Sequence, residues 1–112
     1  MTSKHSKIRI RSLALAAGLM TAFGAQAGAP TDILGKYACS GCHAVDTKIV
    51  GPAFAEVAAK YKDKEDLKGY LTQSIRSGGM GKWGQIPMPP QPAITDEELQ
   101  QVVDWLAAGA TP

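Results

Sequence analysis

The chain has 112 residues, with 12 lysines and arginines against 10 acidic residues and a formal net charge of +2 at pH 7. This length allows one small domain. Four of the basic residues fall among the first eleven, so the part after residue 27 has eight basic and ten acidic residues, and its charge gives no argument for nucleic-acid binding.

The N-terminus has the layout of a secretory signal peptide. MTSKHSKIRIRS is basic, and the run LALAAGLMTAFGAQA that follows is apolar and ends in Ala25-Gln26-Ala27. Small residues at this spacing are recognised by signal peptidase, so we predict cleavage after about Ala27 and export to the periplasm. An uncleaved anchor is the alternative, but the apolar run is shorter than the ~20 residues that span a bilayer. The sequence thus predicts a cleaved segment over residues 1–27 and a mature domain over residues 28–112.

The mature domain is predicted to be all-α, with four helices. The first is short and begins at Thr31 or Asp32, the second begins at Pro52, and the third covers about residues 65–76. The last opens after Thr95, which forms a capping box with Glu98. Apolar residues recur at helical spacing in all four. In chain order they are Ile33, Leu34, Tyr37 and Ala38; Phe54, Val57, Ala58 and Tyr61; Leu67, Tyr70, Leu71 and Ile75; and Leu99, Val102, Val103 and Leu106.

Residues 77–93, SGGMGKWGQIPMPPQPA, form the least regular part of the domain. They contain four glycines and four prolines, a composition that fits neither a regular helix nor a central strand. A long irregular loop in so small a domain is usually functional, so we expect this segment to contribute to a site.

The motif CSGCH contains the only two cysteines of the chain, Cys39 and Cys42, followed by His43, the only histidine after residue 27. A redox dithiol normally follows a strand in a βαβ unit, which this pattern lacks. Structural zinc takes four protein ligands, and only three are present. A disulfide would close a very short loop and constrain little of the chain. The fourth interpretation is covalent attachment of c-type haem, for which C-x-x-C-H is the motif.

Haem attachment accounts best for the spacing of the motif. Residues i and i+3 are neighbours on a helical turn, so Cys39 and Cys42 can both face one edge of the ring and add to its vinyl groups as thioethers. His43 then places its imidazole under the iron. The flat apolar ring would also give the helices of a small domain a common surface to bury. We therefore predict one haem c bound through Cys39 and Cys42.

Two methionines after residue 27 are candidates for the second axial ligand of the iron. Met80 lies in a glycine-rich stretch, where an exposed or gap-filling side chain is the simpler interpretation. Met88 lies in Ile86-Pro87-Met88-Pro89-Pro90, where flanking prolines stiffen the backbone. We predict that His43 and Met88 ligate the iron, a pair that raises its reduction potential.

The chain resembles the small monohaem class I c-type cytochromes of bacteria. Four segments carry this resemblance: CSGCH, VDTKIVGPAF, GKWGQIPMPP and the TDEE before the last helix. The resemblance is greatest to those that donate electrons to nitrite reductase or terminal oxidases. It covers essentially the whole mature domain and implies about four helices wrapped around one covalent haem. It also implies that the Pro52 carbonyl accepts a hydrogen bond from His43 Nδ1, and that Trp83 directs its indole N–H at a haem propionate.

Three positions depart from this family pattern. Gln91 stands where close relatives have an asparagine that can hydrogen-bond the methionine sulfur, and Pro92 is an extra residue in the same loop. Ser74 stands where some relatives have a basic residue near a propionate. The sequence leaves the contact of the Met88 sulfur open.

These features predict a periplasmic one-electron carrier that is not an enzyme. Its expected partners are redox proteins: a membrane cytochrome complex as donor, and a nitrite reductase, oxidase or peroxidase as acceptor. We expect a monomer with no stable membrane insertion after cleavage. Lys36, Lys48 and Lys82 are candidates for the rim of an exposed haem edge, with ordinary solvated lysines as the alternative. A haem peroxidase or a gas-binding sensor, each with a labile sixth ligand, is the alternative function.

Overall fold

The computed structural model describes residues 16–19 and 28–112. The predicted signal peptide and its cleavage site lie outside the described residues, apart from the four residues 16–19, and so stay predictions. Among the described residues, no helix is long and apolar enough to cross a membrane.

Four α-helices and one short 3-10 turn make up the regular structure. The helices are α1 (Thr31–Lys36), α2 (Phe54–Tyr61), α3 (Leu67–Ser77) and α4 (Asp96–Ala107), and the 3-10 turn covers Cys39–Gly41. In the described ranges the extended pairing is limited to two isolated antiparallel bridges, one joining His43 to Lys48 and one joining Gly79 to Met88. The all-α prediction is therefore confirmed.

The core is built on α4, which contacts each of the other three helices. Five residues of α4 are buried, a pattern that follows from the spacing of its apolar residues: Leu99, Val102, Val103, Trp105 and Leu106. The Trp105 ring meets Phe54 of α2 edge to face at 5.1 Å, and its indole N–H donates to the Thr111 carbonyl at 2.7 Å. Trp105 is thus a core residue whose one polar group is satisfied.

The start of α4 follows the predicted capping pattern only in part. Thr95 Oγ accepts the Glu98 N–H at 3.2 Å, as a helix N-cap does. The Glu98 carboxylate accepts hydrogen bonds from Lys36 at 2.8 Å and from the Tyr37 hydroxyl. Glu98 therefore ties the C-terminal end of α1 to the first turn of α4, a long-range contact that the local motif does not encode.

Two helices begin later than the sequence suggests. Pro52 lies before α2, because Ala53 is extended at φ −60° and ψ 145° and its N–H is capped by the Glu56 carboxylate at 3.1 Å. α3 begins at Leu67 because Asp66 has a left-handed backbone with φ +51°. In both places a residue with a non-helical backbone, Ala53 or Asp66, sets the start of the helix.

Candidate functional site

An open, largely apolar cavity lies between the helices and the loop of residues 77–91. Its walls include core side chains from all four helices, among them Leu34, Phe54, Leu71, Ile75, Val102 and Leu106. The cavity also includes all four residues predicted to hold haem and iron: Cys39, Cys42, His43 and Met88. Tertiary folding thus brings together two sequence segments that lie some 45 residues apart.

The 3-10 turn places both cysteines at the cavity. The N–H groups of Cys42 and His43 both bond the Cys39 carbonyl, at 3.1 and 2.9 Å, which closes the turn. The two thiols are not joined in a disulfide. Burial raises the pKa of the Cys39 thiol, opposed in part by a backbone hydrogen bond, so this group stays protonated at neutral pH.

His43 is oriented by three contacts from the segment after the motif. Its Nδ1 lies 2.7 Å from the Pro52 carbonyl, so the hydrogen bond that the resemblance implied is present. That carbonyl can only accept, which places the proton on Nδ1 and leaves the Nε2 lone pair free. The Phe54 ring stacks on the imidazole at 5.1 Å, and a Cβ added at Gly51 would come within 2.5 Å of the ring. The imidazole is thereby held in one orientation.

Met88 is fixed by backbone contacts on both sides. It pairs with Gly79 in both directions, with N–H to carbonyl distances of 3.0 and 2.8 Å. Gly78, at φ +62°, lies so close to the Met88 carbonyl that any side chain there would collide with it. The glycines that make residues 77–93 irregular therefore allow two backbone segments to pack closely around Met88. Met80 also borders the cavity, but its side chain is 69% exposed.

Arg76 is a site-supporting residue that the sequence argument missed. Its guanidinium donates to the carbonyls of Gln91, Pro92 and Ile94, and it forms an ion pair with Asp96 at 2.6 Å. These bonds fasten the chain after Met88 to the end of α3 and the start of α4. A basic residue in the last turn of a helix was the available signal, but it indicates only a favourable interaction with the helix dipole.

Gln91 supports the loop through its backbone. Its N–H donates to the carbonyls of Ile75 and Arg76, both at 3.2 Å, and so covers the C-terminal end of α3. Its side-chain amide donates to the Pro89 carbonyl at 3.4 Å. The residue thus stabilises the turn that follows Met88, while the amide is engaged with Pro89.

An aromatic cluster, formed by Tyr61, Tyr70 and Trp83, lies beside the cavity. Tyr61 packs on Tyr70 at 4.9 Å and on Trp83 at 6.0 Å, and Trp83 itself borders the cavity and is 37% exposed. Burial raises the pKa of Tyr61 to about 12, and the Tyr70 hydroxyl adds to that rise. The Lys60 ammonium lies 4.2 Å from the Trp83 ring centroid, a cation–π contact that holds the indole at the edge of the cavity.

The donor groups around the cavity fit haem c and fit the alternatives poorly. Two thiols, an imidazole with a free Nε2 and a thioether meet in an apolar cavity, which is the set that a covalent haem with two axial ligands requires. Within residues 16–19 and 28–112, no three His, Cys, Asp or Glu side chains converge as metal ligands, which argues against structural zinc. No strand precedes Cys39 in the described chain, so the dithiol interpretation also lacks its context.

An all-α domain with a Cys-x-x-Cys-His turn and a proline-flanked methionine around one cavity defines the class of small monohaem c-type cytochromes. The family model for cytochrome c matches residues 31–109. The chain therefore belongs to the cytochrome c family.

Individual relatives agree with this family. The chain is 46% identical to cytochrome c-552 of Nitrosomonas europaea over 91 residues, which are 81% of this chain and 86% of that protein. It is 44% identical to cytochrome c-551 of Pseudomonas aeruginosa over 92 residues, 82% of this chain and 88% of that protein. The crystal structure of the Nitrosomonas europaea cytochrome c552 superposes with a TM-score of 0.67 at 44% identity, and the match covers 70% of this chain and 98% of that one.

Family membership establishes the cofactor and the general function. The chain carries one covalent haem c and is a haem-based electron carrier that works with other redox proteins, not an enzyme. The predictions of a class I cytochrome c fold, of haem c and of electron transfer are thus confirmed.

Proposed function

We propose that this chain is a periplasmic one-electron carrier whose haem is attached through Cys39 and Cys42 and whose iron is held by His43 and Met88. It is exported with cleavage after about Ala27. As a monomer, it carries electrons between respiratory or denitrification partners. These are a membrane cytochrome complex as donor and a nitrite reductase, oxidase or peroxidase as acceptor.

The observation that carries the proposal is the fixed placement of two suitable ligands around one cavity. His43 Nδ1 is occupied by Pro52 at 2.7 Å, and Met88 is paired with Gly79 at 2.8 and 3.0 Å. Both side chains border the same apolar cavity. A ligand pair that is held before iron binds needs little rearrangement when the iron changes oxidation state, which favours electron transfer.

The residues of the chain have separate tasks in this function. Haem iron, when bound, supplies a one-electron change between its ferric and ferrous forms. The Pro52 carbonyl orients His43 and increases its basicity. The thioether of Met88 is a soft, neutral ligand, and it favours the ferrous form. Trp83 directs its indole N–H towards a propionate, while the apolar walls keep water away from the ring.

The enzyme and sensor alternatives need chemistry that the cavity does not offer. A peroxidase needs a distal acid or base, and the described cavity has His43 as its only histidine and no Asp or Glu. A gas sensor needs a sixth ligand that leaves readily, whereas the backbone of Met88 is held on both sides. No observation favours either alternative over the carrier.

The test is optical spectroscopy of the periplasmic protein with two matched variants, Met88→Ala and Met80→Ala. We expect native protein and Met80→Ala to show reduced c-type bands and, when oxidised, the weak near-infrared band of iron–sulfur ligation. Met88→Ala should keep the c-type bands, lose the sulfur band and bind CO in its reduced form. Rapid stoichiometric CO binding by native protein, or loss of the sulfur band in Met80→Ala, would contradict His43/Met88 ligation.

A further inference from the structure

One charged side chain borders the otherwise neutral cavity. Among the cavity residues in the described part of the chain there is no Asp, Glu or Arg, and Lys82 is the only lysine. It lies in the glycine-rich half of the loop, next to Trp83. Lys82 is itself exposed, so its ammonium stays solvated at the mouth of the cavity and is available to an anion held there.

The ammonium of Lys82 is held in place by two side chains of α3. Its Nζ donates to Ser74 Oγ at 3.2 Å, and it lies 4.8 Å from the centroid of the Tyr70 ring. The main chain at Lys82 is held as well, because Lys60 Nζ donates to the Lys82 carbonyl at 3.1 Å. A long lysine side chain that is fixed at both ends is pre-organised to meet a ligand.

Among the described residues, no carboxylate forms an ion pair with Lys82. The three ion pairs found within residues 16–19 and 28–112 are Lys36–Glu98, Lys68–Asp104 and Arg76–Asp96. Haem c does carry anions, since two propionate carboxylates are the formal negative charges on the periphery of the porphyrin. In the haem ring the propionates are on the side opposite the vinyl groups that react with the cysteines, so in this cavity they would extend away from the 3-10 turn.

We propose that Lys82 is the counter-ion of a haem propionate and that Ser74 positions its ammonium for this contact. The proposal rests on the proposed function, because it needs the haem seated in this cavity through Cys39 and Cys42. The cation comes from the loop, and its ammonium crosses to Ser74 on α3. The helix thus contributes the anchoring hydroxyl, and the loop contributes the charge.

The pairing has a definite effect on the iron. A propionate carboxylate stabilises the ferric form, because that form carries the additional positive charge. A cation beside the carboxylate cancels part of this stabilisation, so Lys82 raises the reduction potential. The same charge in solvent, away from the cavity, is screened by water and has a smaller effect.

The experiment compares midpoint potentials of haem-loaded native protein with those of Lys82→Gln, Lys82→Arg and Lys64→Gln. Lys64 is the matched control, because its ammonium packs on the same Tyr70 ring at 4.3 Å but does not border the cavity. A fourth protein, Ser74→Arg with Lys82→Gln, returns a cation from α3. The near-infrared sulfur band is recorded for each protein first, so that a failure of His43/Met88 ligation is seen separately from a change in potential.

We expect Lys82→Gln to shift the ferric–ferrous equilibrium about two- to seventeenfold towards ferric iron, the range that Coulomb's law gives for unit charges ~10 Å apart at dielectric constants of about 80 to 20. This corresponds to a potential lower by about 20 to 70 mV for one electron. The midpoint potential of Lys82→Arg should stay near the native value, and that of the double variant should recover most of the shift. The potential of Lys64→Gln should change by less than a third as much as that of Lys82→Gln.

Three results would overturn the proposal. One is a Lys82→Gln shift no larger than that of Lys64→Gln, which would make Lys82 an ordinary solvated lysine. Another is a midpoint potential of Lys82→Arg that is as low as that of Lys82→Gln. The third is a crystal structure of the haem-loaded protein in which Lys82 Nζ lies beyond about 4 Å from both propionates. If Lys82→Gln does not accumulate, the arginine variant, the double variant and the crystal structure still decide the question.

Discussion

The orientation of His43 depends on residues that carry no reactive group. The Pro52 carbonyl lies 2.7 Å from His43 Nδ1, and the Phe54 ring stacks on the imidazole with 5.1 Å between ring centroids. Gly51 leaves room for the ring because it has no side chain. A methyl group at position 51 would stand 2.5 to 3.1 Å from three atoms of the imidazole ring. Since real Cβ atoms do not approach that closely, either the ring or the loop would have to move.

Replacement of Gly51 by alanine tests this packing. We expect Gly51→Ala to lower the free energy of unfolding by about 1–3 kcal/mol, the usual cost of overpacking, and to weaken the His43–Pro52 hydrogen bond. Denaturant unfolding of the haem-loaded protein measures the change. Gly35→Ala is the control, because a Cβ there meets nothing within 4 Å and alanine is favoured in a helix. Equal stability of Gly51→Ala and native protein would show that the loop absorbs the methyl group.

The loop of residues 77–93 is ordered by the elements on either side of it. Gly79 pairs with Met88, the Gln91 N–H covers the end of α3, and Arg76 spans from α3 to the carbonyls that precede α4. The loop thus forms one wall of the cavity, opposite the helices, although its own sequence forms neither helix nor strand. The placement of Met88 follows from these contacts between elements.

Loss of Arg76 should loosen this wall. Arg76→Gln removes charge-assisted hydrogen bonds to three carbonyls and one ion pair, so we expect a loss of stability of about 1.5–3 kcal/mol. Amide exchange at Gly79 and Met88 should accelerate at the same time. Lys68→Gln is the control, because it removes the same charge but only one exposed ion pair, with Asp104 at 3.0 Å, worth at most about 1 kcal/mol. Unchanged exchange at Met88 in Arg76→Gln would mean that the prolines alone hold the loop.

At the scale of the whole molecule, α1 and α4 are joined by polar contacts as well as by the core. Glu98 accepts from Lys36 and Tyr37, residues about 60 positions earlier in the chain. The hydrogen bond from Lys36, with that from Tyr37, lowers the pKa of Glu98 to about 2 from an ordinary value of 4.5. The contacts therefore stabilise the fold when Glu98 is ionised.

This arrangement predicts a pH dependence in acid. Because the pKa of Glu98 is lower in the folded chain, its contribution is complete above about pH 4.5 and is lost as pH falls towards 2. Glu98→Gln should therefore lose stability less steeply than native protein in that window, as measured by thermal unfolding at several pH values. Glu97→Gln, an exposed neighbour in the same helical turn, should follow the native slope. If the slope of Glu98→Gln equals the native slope, other carboxylates dominate the acid transition.

Local sequence patterns were enough to predict the helical class, the apolar faces of the helices, the CSGCH motif and the choice of Met88 over Met80 as the candidate ligand. These follow from local rules: helical periodicity, fixed motif spacing, and the stiffness that prolines give to their neighbours. Two helix starts were placed too early, at Pro52 and Glu65, because local propensity does not predict the extended backbone of Ala53 or the left-handed backbone of Asp66.

Which distant residues meet depends on the packing of the whole fold. Three contacts join residues that are far apart in the chain or on different elements. Arg76 reaches the loop carbonyls, Glu98 accepts from Lys36 as well as from its own cap residue Thr95, and Lys82 crosses to Ser74. Such contacts depend on the packing of helices and on the backbone that glycines allow, so no local pattern specifies them. The candidate ligands could be chosen from the sequence, but the contacts that hold them are fixed by packing.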